Sequence, residues 1–121
     1  MQLSGISIMD RYILNGHEPV YEPDMIKWAK WFWSANRIVA RTRVGRSTVS
    51  TVFLGIDHSF GFEEQTPILF ETMIRDRNGE FHDDQWRYET WDEAEAHHHA
   101  VVGALQSNRL ELPDPVVQSG E

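Results

Sequence analysis

Apolar residues recur along this chain with two different spacings, and the changes from one to the other divide it into elements. Residues 11–21 place apolar runs on either side of Asn15-Gly16, a pair that supplies the positive φ angles of a tight hairpin turn, and Pro19 confines the second strand to an edge. Glu22-Pro23-Asp24 has the composition of a helix start, with proline near the first turn and acids at the positive end of the dipole. That helix is expected to run to about Asn36. On a helical wheel Met25, Trp28, Ala29, Phe32 and Asn36 share the core face, flanked by Ile26, Trp33 and Ala35, which leaves Trp31 as the exposed aromatic. From Ile38 the spacing becomes two, and strands are expected over 38–44, 48–56, 68–75 and 85–89. Gly45-Arg46 joins the first pair, a long loop from Asp57 to Thr66 the second, and a polar segment from Arg77 to Asp84 the third. Thr90-x-x-Glu93 is a capping box that opens a second helix over 91–108, whose apolar stripe holds Ala94, Val101, Val102 and Leu105, with His98 inside it. Together these elements predict an α+β fold: a four-stranded antiparallel meander with two helices on one face and a small N-terminal hairpin.

A chain of 121 residues can bury one core, so a single globular domain is expected over 9–108, preceded by an extension over 1–8. Pro113 and Pro115 in a polar segment make 109–121 an expected flexible tail, and both Met1 and Met9 stand as candidate starts. Hydrophobic residues at 40% and charged residues at 25% suit a soluble domain, and no apolar run is long enough to span a bilayer. The first eight residues lack the basic start and long apolar centre of a signal peptide, and the absence of cysteine removes disulfides and thiolate metal sites. A cytoplasmic location is expected. The net charge of −8 is divided unevenly, with +3 over residues 1–56 and −11 over residues 57–121. This balance disfavours nucleic acid as a partner, although Arg37, Arg41, Arg43 and Arg46 make a local basic strip. The strip is expected to be solvated and paired with carboxylates on the strand opposite.

His97-His98-His99 invites a metal reading, yet adjacent helical residues point about 100° apart and cannot share one ion. Glu93 with His97, or Glu95 with His99, has the spacing to hold one, given further donors from Asp57, His58 or Glu71. The simpler expectation is that these pairs lie on a solvated helix face, that His98 is a satisfied, half-buried histidine, and that the chain holds no metal and no cofactor. Asp57 and His58 open the long loop, and Glu71 lies in the next strand on the face opposite Ile68, Phe70 and Ile74. A carboxylate and an imidazole meeting there would make a general base and its orienting partner, with Ser59 or a water as nucleophile. No nucleophile elbow, zinc-protease helix, Walker loop or dinucleotide fingerprint accompanies them. Loop hydrogen bonding by Asp57 and a cross-strand pair for Glu71 account for the same residues. Trp28, Phe32, Trp86, Tyr88 and Trp91 have core periodicity, which leaves Trp31, Phe60 and Phe62 as aromatics for binding. The candidate ligand or partner site is therefore Asp57, His58, Phe60, Phe62, Glu71, His98 and Trp31.

The segments Lys27-Trp28-Ala29-Lys30-Trp31-Phe32, Ser50-Thr51-Val52-Phe53-Leu54-Gly55-Ile56-Asp57-His58, Leu69-Phe70-Glu71-Thr72-Met73 and Tyr88-Glu89-Thr90-Trp91-Asp92-Glu93-Ala94-Glu95-Ala96 carry a resemblance. Over about residues 9–102 the chain resembles a group of short proteins from tailed bacteriophages and prophages. In that group a Gly-His pair is the more usual form of His97-His98, which directs attention to His98. The resemblance implies a phage or prophage origin and brings no activity with it. The expected function is that of a non-enzymatic accessory protein in the host cytoplasm, which binds a host protein or a small ligand, interference with host defence being one such role. The alternatives are a small hydrolase, with or without a metal, built on Asp57, His58, Glu71 and His98, and a minor structural protein of the virion.

Overall fold

A computed structural model describes residues 10–59, 66–76, 81–108 and 111–116. The hairpin forms as the Asn-Gly pair predicts: β1 (Tyr12–Asn15) pairs antiparallel with β2 (Glu18–Tyr21), and Gly16 turns the chain at φ +65°. Helix α1 (Met25–Ser34) follows, capped by Asp24, whose carboxylate accepts from the amides of Ile26 at 2.9 Å and Lys27 at 3.1 Å. Then β3 (Ile38–Val44), β4 (Ser47–Phe53), β5 (Phe70–Asp76) and β6 (Phe81–Tyr88) build an antiparallel sheet in sequence order. The last strand begins four residues before its expected start, because the polar segment ahead of Gln85 still pairs with β5 beyond an irregularity between Met73 and Arg75. Helix α2 (Trp91–Gln106) closes the domain; Thr90 accepts from the Glu93 amide at 3.1 Å, and its hydroxyl meets the Glu93 carboxylate at 3.2 Å. The α+β fold, meander and hairpin are those the periodicities predict.

Period-two alternation decides which side of the sheet is covered. Val49, Thr51 and Phe53 on β4 and Phe70, Thr72 and Ile74 on β5 are buried on one face beneath Ala94, Val101 and Val102 of α2. Helix α1 reaches that same face at its end, where Trp31 sets its ring edge against Phe53 at 5.8 Å. Among the described residues no helix lies on the other face of the sheet. That face carries Thr48, Ser50 and Val52 from β4 and Met73 and Arg75 from β5, with Glu71 buried among them at 8% exposure.

The orientation of α1 corrects the helical wheel. Trp31 is not the exposed aromatic: it is half-buried in the core, whereas Trp33 is 85% exposed, Ile26 66% and Met25 60%. Apolar residues occupy nearly the whole circumference of this helix, so periodicity alone does not choose the inward side. Hydrogen bonding chooses it. The Trp28 indole N–H is shared between the carbonyls of Tyr12 and Gly55, each at 3.1 Å, and the Phe32 ring lies over Gly55. That contact turns Trp28, Trp31 and Phe32 inward and leaves Met25, Ile26 and Trp33 facing out.

Candidate functional site

The long loop begins with a local lock. Asp57 accepts from the amides of Ser59 at 2.8 Å and Ile68 at 2.9 Å through one oxygen, and from the Ser59 hydroxyl at 2.9 Å through the other. His58 Nδ1 lies 2.7 Å from the carbonyl of Ile56; since a carbonyl only accepts, this nitrogen carries the proton. The Ser59 hydroxyl is thus donating to Asp57 and the His58 proton to the backbone, which is loop closure of the kind short polar side chains perform. Phe60 and Phe62 lie outside the described residues.

A second polar group sits beneath α2. His98 is fully buried, with Nε2 at 2.8 Å from the Thr42 hydroxyl and Nδ1 at 2.8 Å from that of Thr51. Thr51 meets the Thr72 hydroxyl at 2.5 Å. The Tyr88 hydroxyl lies 2.5 Å from His97 Nδ1, and His97 Nε2 lies 2.7 Å from the carbonyl of Pro113. The Pro113 carbonyl can only accept, so His97 donates from Nε2, and its Nδ1 accepts a hydrogen bond from the Tyr88 hydroxyl. Two short relays result, one through Thr42, His98, Thr51 and Thr72, the other donating from Tyr88 through His97 to Pro113. Burial, followed by the neighbouring His99 charge, lowers the His98 pKa to about 4, and burial raises that of Tyr88 to about 12. His98 is satisfied and inward, as its place in the helix stripe predicts. His97 departs from the solvated face expected of it and is 3% exposed, because the segment around Pro113 returns over it and Leu112 packs beside Leu105 and Val102.

On the open face, register assigns partners that sequence alone does not. Glu71 stands opposite Arg87 and next to the row of Gln85, and its carboxylate receives hydrogen bonds from the Arg87 Nε at 3.0 Å and from the Gln85 amide. Arg41 and Arg43 alternate with Thr42 and Val44 and so share this face, where they stand opposite Ser50 and Thr48. Their cross-strand neighbours are hydroxyls, not the carboxylates expected there. Among the described residues neither arginine forms an ion pair. Arg41, Thr48, Ser50, Val52, Glu71, Met73 and Arg75 line a groove of about 520 Å³ across the sheet. A second concavity of about 570 Å³ lies by the hairpin, where the His17 ring stacks on Trp91 at 3.7 Å.

The sequence candidates are consequently not one cluster. Asp57 and His58 belong to the loop, Glu71 to the open face, His98 to the covered face and Trp31 to the core. Among the described residues no three His, Asp or Glu side chains gather as a metal-binding group. Nor is any helix among them long and apolar enough to cross a membrane. The groove residues Thr48, Ser50, Val52 and Met73 were not singled out by sequence reasoning, although their signal is present: small polar and apolar positions alternate with the buried Val49, Thr51 and Phe53. Comparison with family models, with curated proteins and with solved structures gives no match to this chain.

Proposed function

We propose that this chain is a non-enzymatic phage or prophage accessory protein that acts in the host cytoplasm by holding a host protein or a small ligand, with the uncovered sheet face as its contact surface. The observation that carries the reading is the separation of the polar candidates: Asp57 closes its own loop, Glu71 is held by Arg87 and Gln85, and His98 is enclosed on the other side of the sheet. General acid-base chemistry needs partners within hydrogen-bond reach of one reacting atom, and this arrangement aims its polar groups at three different places. A concave surface lined by arginine, hydroxyls and Met73 is instead suited to recognition. The phage setting rests on the sequence resemblance, and interference with a host defence protein is one role that fits it. Incubating the purified chain with nucleotide, ester and phosphoester panels tests the reading. No turnover above background is expected; turnover abolished by Asp57→Asn or Glu71→Gln, in variants that keep their circular dichroism, would overturn it.

A further inference from the structure

The arginines on the open face have a consequence for the kind of partner the sheet can hold. Among the described residues of this face, Arg41 and Arg43 form no ion pair, while Arg87 meets the charge of Glu71. A chain of net charge −8 thus holds two arginines side by side on this face with no carboxylate partner among the described residues. Between Arg41 and Arg75 the groove floor is Val52 and Met73, with the hydroxyls of Thr48 and Ser50 beside them. Arginine and methionine around a small apolar floor are a composition typical of protein interfaces.

Deepening the binding role proposed above, and resting on it, we infer that the open face is a docking surface for an acidic protein segment that also carries an apolar side chain. Its carboxylates pair with Arg41 and Arg43, for which the chain supplies no described carboxylate, and its apolar side chain rests on Val52 and Met73. The guanidinium fork matches a carboxylate with two parallel hydrogen bonds, and the Ser50 and Thr48 hydroxyls take further acceptors. Single-stranded nucleic acid fits less well. The −11 carried by residues 57–121 repels an extended polyphosphate beyond the groove. A short acidic segment meets the arginines alone.

The test is selection from a random 12-residue peptide library on the full chain, followed by fluorescence anisotropy with the recovered peptides. Recovered sequences are expected to be enriched about twofold or more in Asp and Glu, with an apolar residue among them. Arg41→Glu/Arg43→Glu should weaken the best peptide by about tenfold or more, in proportion to two lost charge pairs, without lowering the melting temperature. Val52→Asp should weaken it separately. A pool without acidic enrichment, or binding unchanged in the double arginine variant, overturns the inference while leaving a non-enzymatic binding role intact. A (dT)20 oligonucleotide that binds more tightly than the best peptide and loses affinity in the same variant also overturns it, with nucleic acid as the occupant. Salt-sensitive dimerisation in sedimentation, abolished by Arg41→Glu/Arg43→Glu, overturns it with a second copy of the chain as the occupant.

Discussion

The two faces of one four-stranded sheet satisfy their polar groups in opposite ways. Under α2, Thr42, Thr51, Thr72, Tyr88, His97 and His98 find partners in one another and in a backbone carbonyl, and His98 is held neutral. On the open side Arg41 and Arg43 keep full charges above hydroxyl neighbours. The difference follows from the solvent. A polar group without a partner costs about 1 to 3 kcal/mol once buried, so the hydroxyls and imidazoles beneath α2 draw on one another for partners, whereas water supports an unneutralised guanidinium at almost no cost. The covered face is therefore bound by folding requirements, and the open face is largely released from them.

The largest expected contrast comes from apolar truncation. Phe53→Ala removes a fully buried ring that touches both Trp31 and Phe70, and should cost about 3 to 5 kcal/mol in urea denaturation. Val52→Ala, its neighbour on the other face, should cost under about 1 kcal/mol. Equal losses would break the comparison.

Next in size is a pH effect confined to the covered face. The folded pKa of His98 is about 4 and its ordinary value 6.5, so between these values the unfolded chain binds a proton that the folded chain refuses. The corresponding stability is fully present above pH 6.5 and is lost as the pH falls toward 4. The wild type should lose about 3 kcal/mol more than His98→Gln over that interval, read from denaturation midpoints at each pH. The charges nearest His98 are those of Glu95, His97 and His99 on its own helix, while β3 and β4 present it with the uncharged Thr42 and Thr51. Parallel pH profiles for the two proteins would show that the relay does not exclude the proton.

Smaller effects belong to the open face. Glu71→Gln gives up the pairing with Arg87, whose side chain is 37% exposed and keeps its hydration, so a loss of about 1 kcal/mol is expected in thermal unfolding. Arg41→Ala should change stability by less than about 0.5 kcal/mol. A drop of 2 kcal/mol there would mean that the arginine has a structural partner and that the two faces are less distinct than described.

How far the molecule was legible from its sequence divides along similar lines. Strands and α2 were legible because alternation and a capping box are local signals: Val49, Thr51 and Phe53 announce one face, and Thr90 and Glu93 announce a helix start. The inward side of α1 was not, since Trp28, Trp31, Phe32 and Trp33 surround the helix and only the indole hydrogen bond to Tyr12 and Gly55 selects among them. The neighbours of Arg41 and Arg43 needed strand register, and the burial of His97 needed the return of Pro113. Of the candidate site, the inward place of His98 and the local roles of Asp57 and Glu71 could be read in advance. The groove could not, because its residues come from three strands.

Gly55 bears on how the molecule opens. Its backbone sits at φ +79°, and a methyl group at this position would meet the Phe32 ring at 3.0 and 3.1 Å. Its carbonyl receives both the Tyr12 amide at 2.9 Å and the Trp28 indole at 3.1 Å, while the Asp57 amide bonds to the Asp10 carbonyl at 2.9 Å. The hairpin and α1 are thus moored to the meander around one short stretch of backbone. In hydrogen exchange, Gly55→Ala should accelerate the amides of residues 12–35 together while those of β4 and β5 retain their protection, exposing two cooperative units where the wild type shows one.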